Sequence, residues 1–169
     1  MAIILALLLD ALLGEPPVRI HPVAWMGRFL SWGAARIPAV PREALRRGGG
    51  LWLLGALACL VAGILLEWLL SPLGVWGLPV KALLLWPLFS ARLLQEEVAA
   101  VETSLLRGLD EGRQRLARIV SRDVSSLSEA QVRESALESL SENLTDSVTA
   151  PLFWFLLLGL PGALVYRFA

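Results

Sequence analysis

Four carboxylates recur at every fourth position in one short stretch of this chain: Glu134, Glu138, Glu142 and Asp146, with Asn143 beside the third. At 100° per residue they fall within about 120° of one helix face. No Lys or Arg stands among them, since Arg133 projects to the opposite side. Like charges four apart each destabilise a helix by about 0.2–0.5 kcal/mol. Such a stripe is either a solvated face or a site for something cationic, and spacing alone leaves both open. A hard cation such as Mg²⁺ takes one or two carboxylates plus substrate phosphate oxygens. Glu138, Glu142 and Asp146 offer such oxygens, and Asn143 adds a neutral donor and acceptor.

Two further groups have types suited to chemistry. Asp10, Glu15 and His21 lie within LLLDALLGEPPVRIHPV. Gly14 and the pair Pro16–Pro17 force the chain out of helix, and Pro22 biases His21 to an extended conformation. A carboxylate and an imidazole on a rigid loop can act as acid, base or ligand, and a lone His can equally be structural. Asp10 sits inside an apolar segment, where an ionisable group is a functional hypothesis by default. The segment is short, so Asp10 can also simply reach an interface. The third group is Arg122 and Asp123, with Ser121, Ser125 and Ser126. Guanidinium offers a bidentate fork to phosphate, and the adjacent carboxylate can orient it or hold Mg²⁺. The alternative is a polar connector carrying a helix cap.

The elements that must position these groups are apolar. The chain has 169 residues, 56% of them hydrophobic, and a mean hydropathy of +0.65. Soluble domains carry roughly 45–50%, and the excess here is concentrated in blocks. Residues 51–70 are long enough to span a bilayer. Residues 75–91 form a second candidate, weakened by Lys81, Pro79 and Pro87, and residues 149–168 a third, broken by Gly159, Pro161 and Gly162. Residues 2–13 are apolar but short. They lack a basic n-region and a small-residue cleavage site, so they are expected to be retained. Seven Trp residues fit interfacial anchoring. Zero net charge gives no bulk electrostatic case for nucleic acid. One Cys, Cys59, and one His exclude an intrachain disulfide and a Cys/His zinc site.

The composition predicts an all-α polytopic integral membrane protein, a single domain over 1–169, with three or four membrane segments and a helical insertion at 92–148. Arginines crowd residues 14–50 and 92–148, while the turn SPLG between the first two long apolar runs has no charge. If both runs span, the two basic stretches share a side, and the positive-inside rule makes it cytoplasmic. Residues 92–119 read as one long helix, bent or divided at Gly108 and Gly112. Ser128 followed by Gln131 is a capping-box signal for a second helix. That helix is expected to reach about Val148, with Pro151 marking its boundary and Ala136, Leu137, Leu140, Leu144 and Val148 as its apolar face. No Walker A, GxGxxG or kinase signature is present.

The clusters, in this order, resemble the CbiB/CobD family of membrane proteins in cobalamin biosynthesis. The matching residues are DALLGEPP at 10–17, HPV at 21–23, MGR at 26–28, SRDVSSL at 121–127, ESLSENLTDSVTAPLFW at 138–154 and LPGALVYR at 160–167. The resemblance implies adenosylcobinamide-phosphate synthase activity. Such enzymes join an aminoalcohol phosphate, usually (R)-1-amino-2-propanol O-phosphate, to adenosylcobyric acid as an amide, with ATP and Mg²⁺. It implies catalytic roles for Glu138, Glu142, Asn143, Asp146 and His21. It implies cofactor binding by Arg122, Asp123 and Ser125, and metal binding by Asp10, Glu15, Asp123, Glu142 and Asp146. Glu15 stands where the family often has Asp, Val124 where it often has Thr, and Ser147 where it often has Gly. Family members continue well past the final YRFA, so the chain is expected to be an N-terminal portion, with a C-terminal half or a second copy as partner. Three other readings are a non-catalytic AmpE-like sensor or regulatory protein, an inactive truncated fragment, and a transporter piece, the last resting on Asp10, Glu67 and Lys81.

Overall fold

The computed structural model describes residues 1–38 and 40–169. Among them every regular element is helical. The elements are α1 (Ala2–Leu13), α2 (Pro22–Ala34), α3 (Pro41–Leu70), α4 (Leu78–Leu85), α5 (Ala91–Leu105), α6 (Leu109–Leu116), α7 (Glu129–Leu144) and α8 (Ala150–Phe168). Two cores organise them. Ala6, Leu70, Ala82, Leu85, Leu88, Phe89, Leu160 and Ala163 join α1, α3, α4 and α8. Val101, Leu105, Leu116, Val124, Val132 and Ala136 join α5, α6, α7 and the loop before α7. Val124, which departs from the frequent Thr, is therefore a core residue.

The apolar bundle is built around α3. At 1.5 Å per residue its 30 residues extend about 45 Å. The second half of α8 runs antiparallel to it, from Leu160 beside Glu67 to Phe168 beside Gly55. A Cβ on Gly63 would lie 2.4 Å from the Pro161 Cα, so only glycine permits this backbone approach. The expected second apolar segment is not one long helix. It contains only the eight residues of α4, between 3₁₀ turns at Ser71–Gly77 and Trp86–Leu88. Pro87 and Gly74, at φ 50°, account for the interruptions. Pro41–Leu105 and Glu129–Phe168 each contain a window long and apolar enough to cross a membrane, although the first range is interrupted at Ser71–Gly77 and Phe89–Ser90 and the second at Gly159, and α1 is a shorter apolar helix.

The insertion also differs in detail from the sequence expectation. The helix expected over 92–119 is divided at Gly108, one of the two glycines expected to bend or divide it, into α5 and α6, with the turn at Leu106–Gly108, while Gly112 lies inside α6. Folding α6 back lets Leu116 fill the same core as Val101 and Leu105. The break expected at Pro151 is absent. A single π-helical turn, Thr145–Thr149, carries α7 straight into α8. A proline lacks an N–H and crowds the carbonyl four residues back, and a wider turn relieves both conflicts. The buried face of α7 is Val132, Ser135, Ala136 and Ser139, whereas Leu137 is exposed, because small side chains let α7 approach its neighbours closely.

The capping box forms as the sequence implies. Ser128 Oγ accepts the Gln131 N–H, and Gln131 Oε1 accepts the Ser128 N–H at 2.8 Å. Ser128→Ala is expected to cost about 1 kcal/mol, read as a lower urea midpoint at unchanged slope. An unchanged midpoint would show that the cap contributes nothing to α7.

Candidate functional site

The acidic stripe lines one wall of a cleft of about 380 Å³. Helix α7 supplies Glu138, Ser139, Glu142 and Asn143, and the π-helical turn adds Asp146. The loop after α6 forms the other wall with Ile119 to Arg122. Ser139 holds that loop by donating its hydroxyl to the Ile119 carbonyl at 3.1 Å. Asn143 donates to the Ser139 carbonyl at 2.7 Å, which fixes its amide at the cleft edge. Glu134 is exposed and lies outside the cleft.

The stripe is not unbroken. Arg122 reaches across from the loop and donates to Glu138 Oε2 at 2.5 Å. Both side chains are more than half exposed, so the pair is worth only about 0–1 kcal/mol and can exchange for a ligand phosphate. Glu142 has no cationic partner among the described residues. Asp146 Oδ1 accepts the Tyr166 hydroxyl at 3.3 Å. Asp123 does not orient Arg122. Its Oδ1 accepts the Ser125 N–H at 2.9 Å, an Asx turn that holds its carboxyl below the usual range. Neither Asp123 nor Ser125 lines the cleft.

The first-loop residues form a separate group. Asp10 is 2% exposed and its Oδ2 accepts the Arg92 backbone N–H at 3.1 Å, at the start of α5. The Arg92 guanidinium in turn donates to the Ala11 and Leu12 carbonyls at 3.3 and 2.9 Å. Asp10 thus serves the open N–H groups of α5 while Arg92 serves the open carbonyls of α1. This reciprocal clamp engages one oxygen of a carboxylate inside an apolar helix, while Asp10 Oδ1 is buried with no hydrogen-bond partner among the described residues. His21 is 6% exposed, with Nε2 3.6 Å from Glu15 Oε2 and neither ring nitrogen hydrogen-bonded. Burial lowers its pKa, Glu15 opposes that, and nearby Arg167 adds to it, so the neutral imidazole is favoured.

The last turn of α8 joins the two groups. Tyr166 contacts Asp146, while Arg167 lies within electrostatic range of Glu15, Asp146 and His21. Arg167 Nε is buried without a hydrogen-bond partner. The sequence places Tyr166 and Arg167 in the matching LPGALVYR segment without giving either a role in the site. The five residues expected to ligate metal are not gathered into one set. Glu142 and Asp146 share the acidic cleft, Asp10 and Glu15 belong to the first-loop group, and Asp123 is committed to its own turn. Among the described residues no three His, Cys, Asp or Glu side chains are placed to hold a metal ion. Two carboxylates facing one cleft nevertheless fit Mg²⁺ where phosphate oxygens and water complete the shell.

Residues 3–169 match the family described as CobD/Cbib protein. The chain is 40% identical over 170 residues to the "Probable cobalamin biosynthesis protein CobD" of Methanothermobacter thermautotrophicus, covering 98% of this chain and 53% of that protein. It is 39% identical to the "Cobalamin biosynthesis protein CobD" of Brucella suis, covering 96% and 52%. It is 41% identical to the "Probable cobalamin biosynthesis protein CobD" of Pyrococcus abyssi, covering 96% and 54%. The chain spans about half the length of the curated relatives it matches. No solved structure matches.

Proposed function

Since the chain belongs to the CobD/CbiB family of cobalamin biosynthesis proteins, we propose that it carries the acidic site of an adenosylcobinamide-phosphate synthase. The reaction joins an aminoalcohol phosphate, such as (R)-1-amino-2-propanol O-phosphate, to a carboxyl of adenosylcobyric acid at the expense of ATP. The observation that carries the reading is the convergence of Arg122, Glu138, Glu142, Asn143 and Asp146 on one cleft.

Amide formation from a carboxylate needs activation of the acid and loss of protons from the amine. Glu142 and Asp146, with Asn143, are the residues that would hold Mg²⁺, which when bound supplies charge neutralisation at phosphate oxygens. Arg122 exchanges Glu138 for a substrate phosphate, and the released Glu138 attracts the ammonium end of the aminoalcohol. His21, neutral through burial, is available to accept a proton. Arg167 and Tyr166 keep the first loop and the acidic cleft in register.

The site belongs at the cytoplasmic face of the cell membrane in this reading. Exposed Trp25 and Trp32 flank the Gly33–Leu51 contact at one end of the bundle, and exposed Trp68 and Trp76 lie at the other. Positions 51 and 68 of α3 are about 26 Å apart along its axis, close to a hydrocarbon thickness. Segments 14–50 and 92–148 leave the bundle at the Trp25 end, where Arg92 and Trp86 meet the C-terminus of α1. A C-terminal half or a second copy would complete the enzyme.

The test supplies a complete-length protein in bilayer discs with adenosylcobyric acid, the aminoalcohol phosphate, ATP and Mg²⁺. ATP-dependent appearance of the amide is expected. Corrinoid binding without turnover would overturn the ligase reading and favour a sensor-like protein.

A further inference from the structure

On the far side of Ser139 and Asn143 a second cleft of about 470 Å³ opens between α5, α6 and α7. Leu93, Leu94, Val98 and Leu140 give it an apolar wall, and Arg115 and Arg118 a cationic rim. A smaller hollow of about 280 Å³ continues past the same two arginines to Arg107. The two clefts with stripe residues share Ile119, Ser139 and Asn143, so one continuous surface runs from the acidic site to three guanidinium groups.

The charges here are incompletely matched. Arg115 donates to Glu97 Oε2 at 2.8 Å, but its Nε is buried with no acceptor. Arg118 makes no ion pair or side-chain hydrogen bond among the described residues. Arg107 donates to Ser104 Oγ at 3.1 Å, and among the described residues Glu97 and Glu111 are the only carboxylates lining the pair of hollows. A buried guanidinium N–H without an acceptor is costly, and a phosphate oxygen is its strongest partner. An apolar wall beside a cationic rim suits a ligand with an aromatic or hydrocarbon body and a phosphate tail.

We propose that the α5–α6–α7 cleft binds a nucleoside phosphate, its phosphates on Arg118 and Arg115 and its base against Leu93, Leu94, Val98 and Leu140. The tail then points through Asn143 toward Glu142 and Asp146. This rests on the ligase reading only for the identity of the nucleotide as its ATP; the site itself is read from the geometry. An aminoalcohol phosphate shares the phosphate but has no body to cover the apolar wall.

The test is direct binding of ADP, of (R)-1-amino-2-propanol O-phosphate and of inorganic phosphate to the 169-residue chain in detergent, by calorimetry. Arg118 is exposed, so Arg118→Gln leaves folding intact, checked by circular dichroism. ADP affinity is expected to fall about tenfold or more in Arg118→Gln and to stay within about twofold in Arg46→Gln, which replaces an exposed arginine that lines none of these clefts. Leu140→Trp, which fills the apolar wall, is expected to weaken ADP and spare inorganic phosphate. Failure of ADP to bind the parent chain, or equal binding by Arg118→Gln, would overturn the site. Arg118-dependent binding of the aminoalcohol phosphate but not of ADP would overturn the nucleotide assignment. Arg118-dependent ADP binding in a protein that forms no amide would uphold the site while the ligase reading fails.

Discussion

Replacing Glu142 by Gln in a complete enzyme is expected to lower amide formation by about a hundredfold and to raise the Mg²⁺ concentration required. The substitution keeps volume and hydrogen-bonding capacity and removes one charge. Glu142 is exposed and has no cationic partner among the described residues, so its loss breaks no ion pair and thermal unfolding should not move. That separates a chemical role from a structural one. Glu138 is a poorer probe, since Glu138→Gln also frees Arg122. Glu134→Gln is the control: it lies on the same helix, removes the same charge and sits outside the cleft, so turnover should stay within about twofold. Unchanged turnover and Mg²⁺ dependence in Glu142→Gln would remove the acidic cleft from the mechanism.

Gly159→Ala is expected to destabilise the chain by about 1–3 kcal/mol and to depress activity together with stability. Gly159 has φ 69° and ψ −153°, a region essentially closed to residues with a Cβ. It breaks α8, and Glu67 Oε1 accepts the Leu160 N–H at 3.1 Å where the helix restarts. The other Glu67 oxygen pairs with Lys81, so two charges in an apolar bundle are both engaged. A Cβ on Gly159 would lie 2.7 Å from Glu67 Oε1 and push the carboxylate off that amide. The helix that restarts at Leu160 carries Tyr166 to Asp146 and Arg167 toward Glu15, so displacing it separates the two halves of the site. Gly74→Ala is the comparison. Gly74 also has positive φ, 50°, but nothing lies within 4 Å of an added Cβ, so its cost is strain without collision. Thermal unfolding of Gly159→Ala at the parent temperature would show that the break is not needed.

Glu67 and Lys81 thereby acquire a role that needs no transport. Both looked like intramembrane charges in search of a function, and together they secure the restart of a broken helix. Asp10 has the same kind of explanation in its clamp with Arg92. The sequence pattern identified each as unusual but could not supply the partners, which lie 93, 14 and 82 residues away.

Periodicity determined what depends on neighbours a few residues apart. The carboxylate spacing put Glu138 and Glu142 on one wall, Ser128 and Gln131 fixed the start of α7, and Gly159 fixed the break in α8. These are local backbone and helix-face effects, written in consecutive residues. Tertiary structure decided whatever depends on which distant groups meet. It placed Arg122 on Glu138, turned Asp123 away into its own loop, and added Tyr166 and Arg167 at the junction of two clusters. It also set Arg115 and Arg118 beside an apolar wall. Electrostatic pairing and burial act through space, over distances that chain order does not encode.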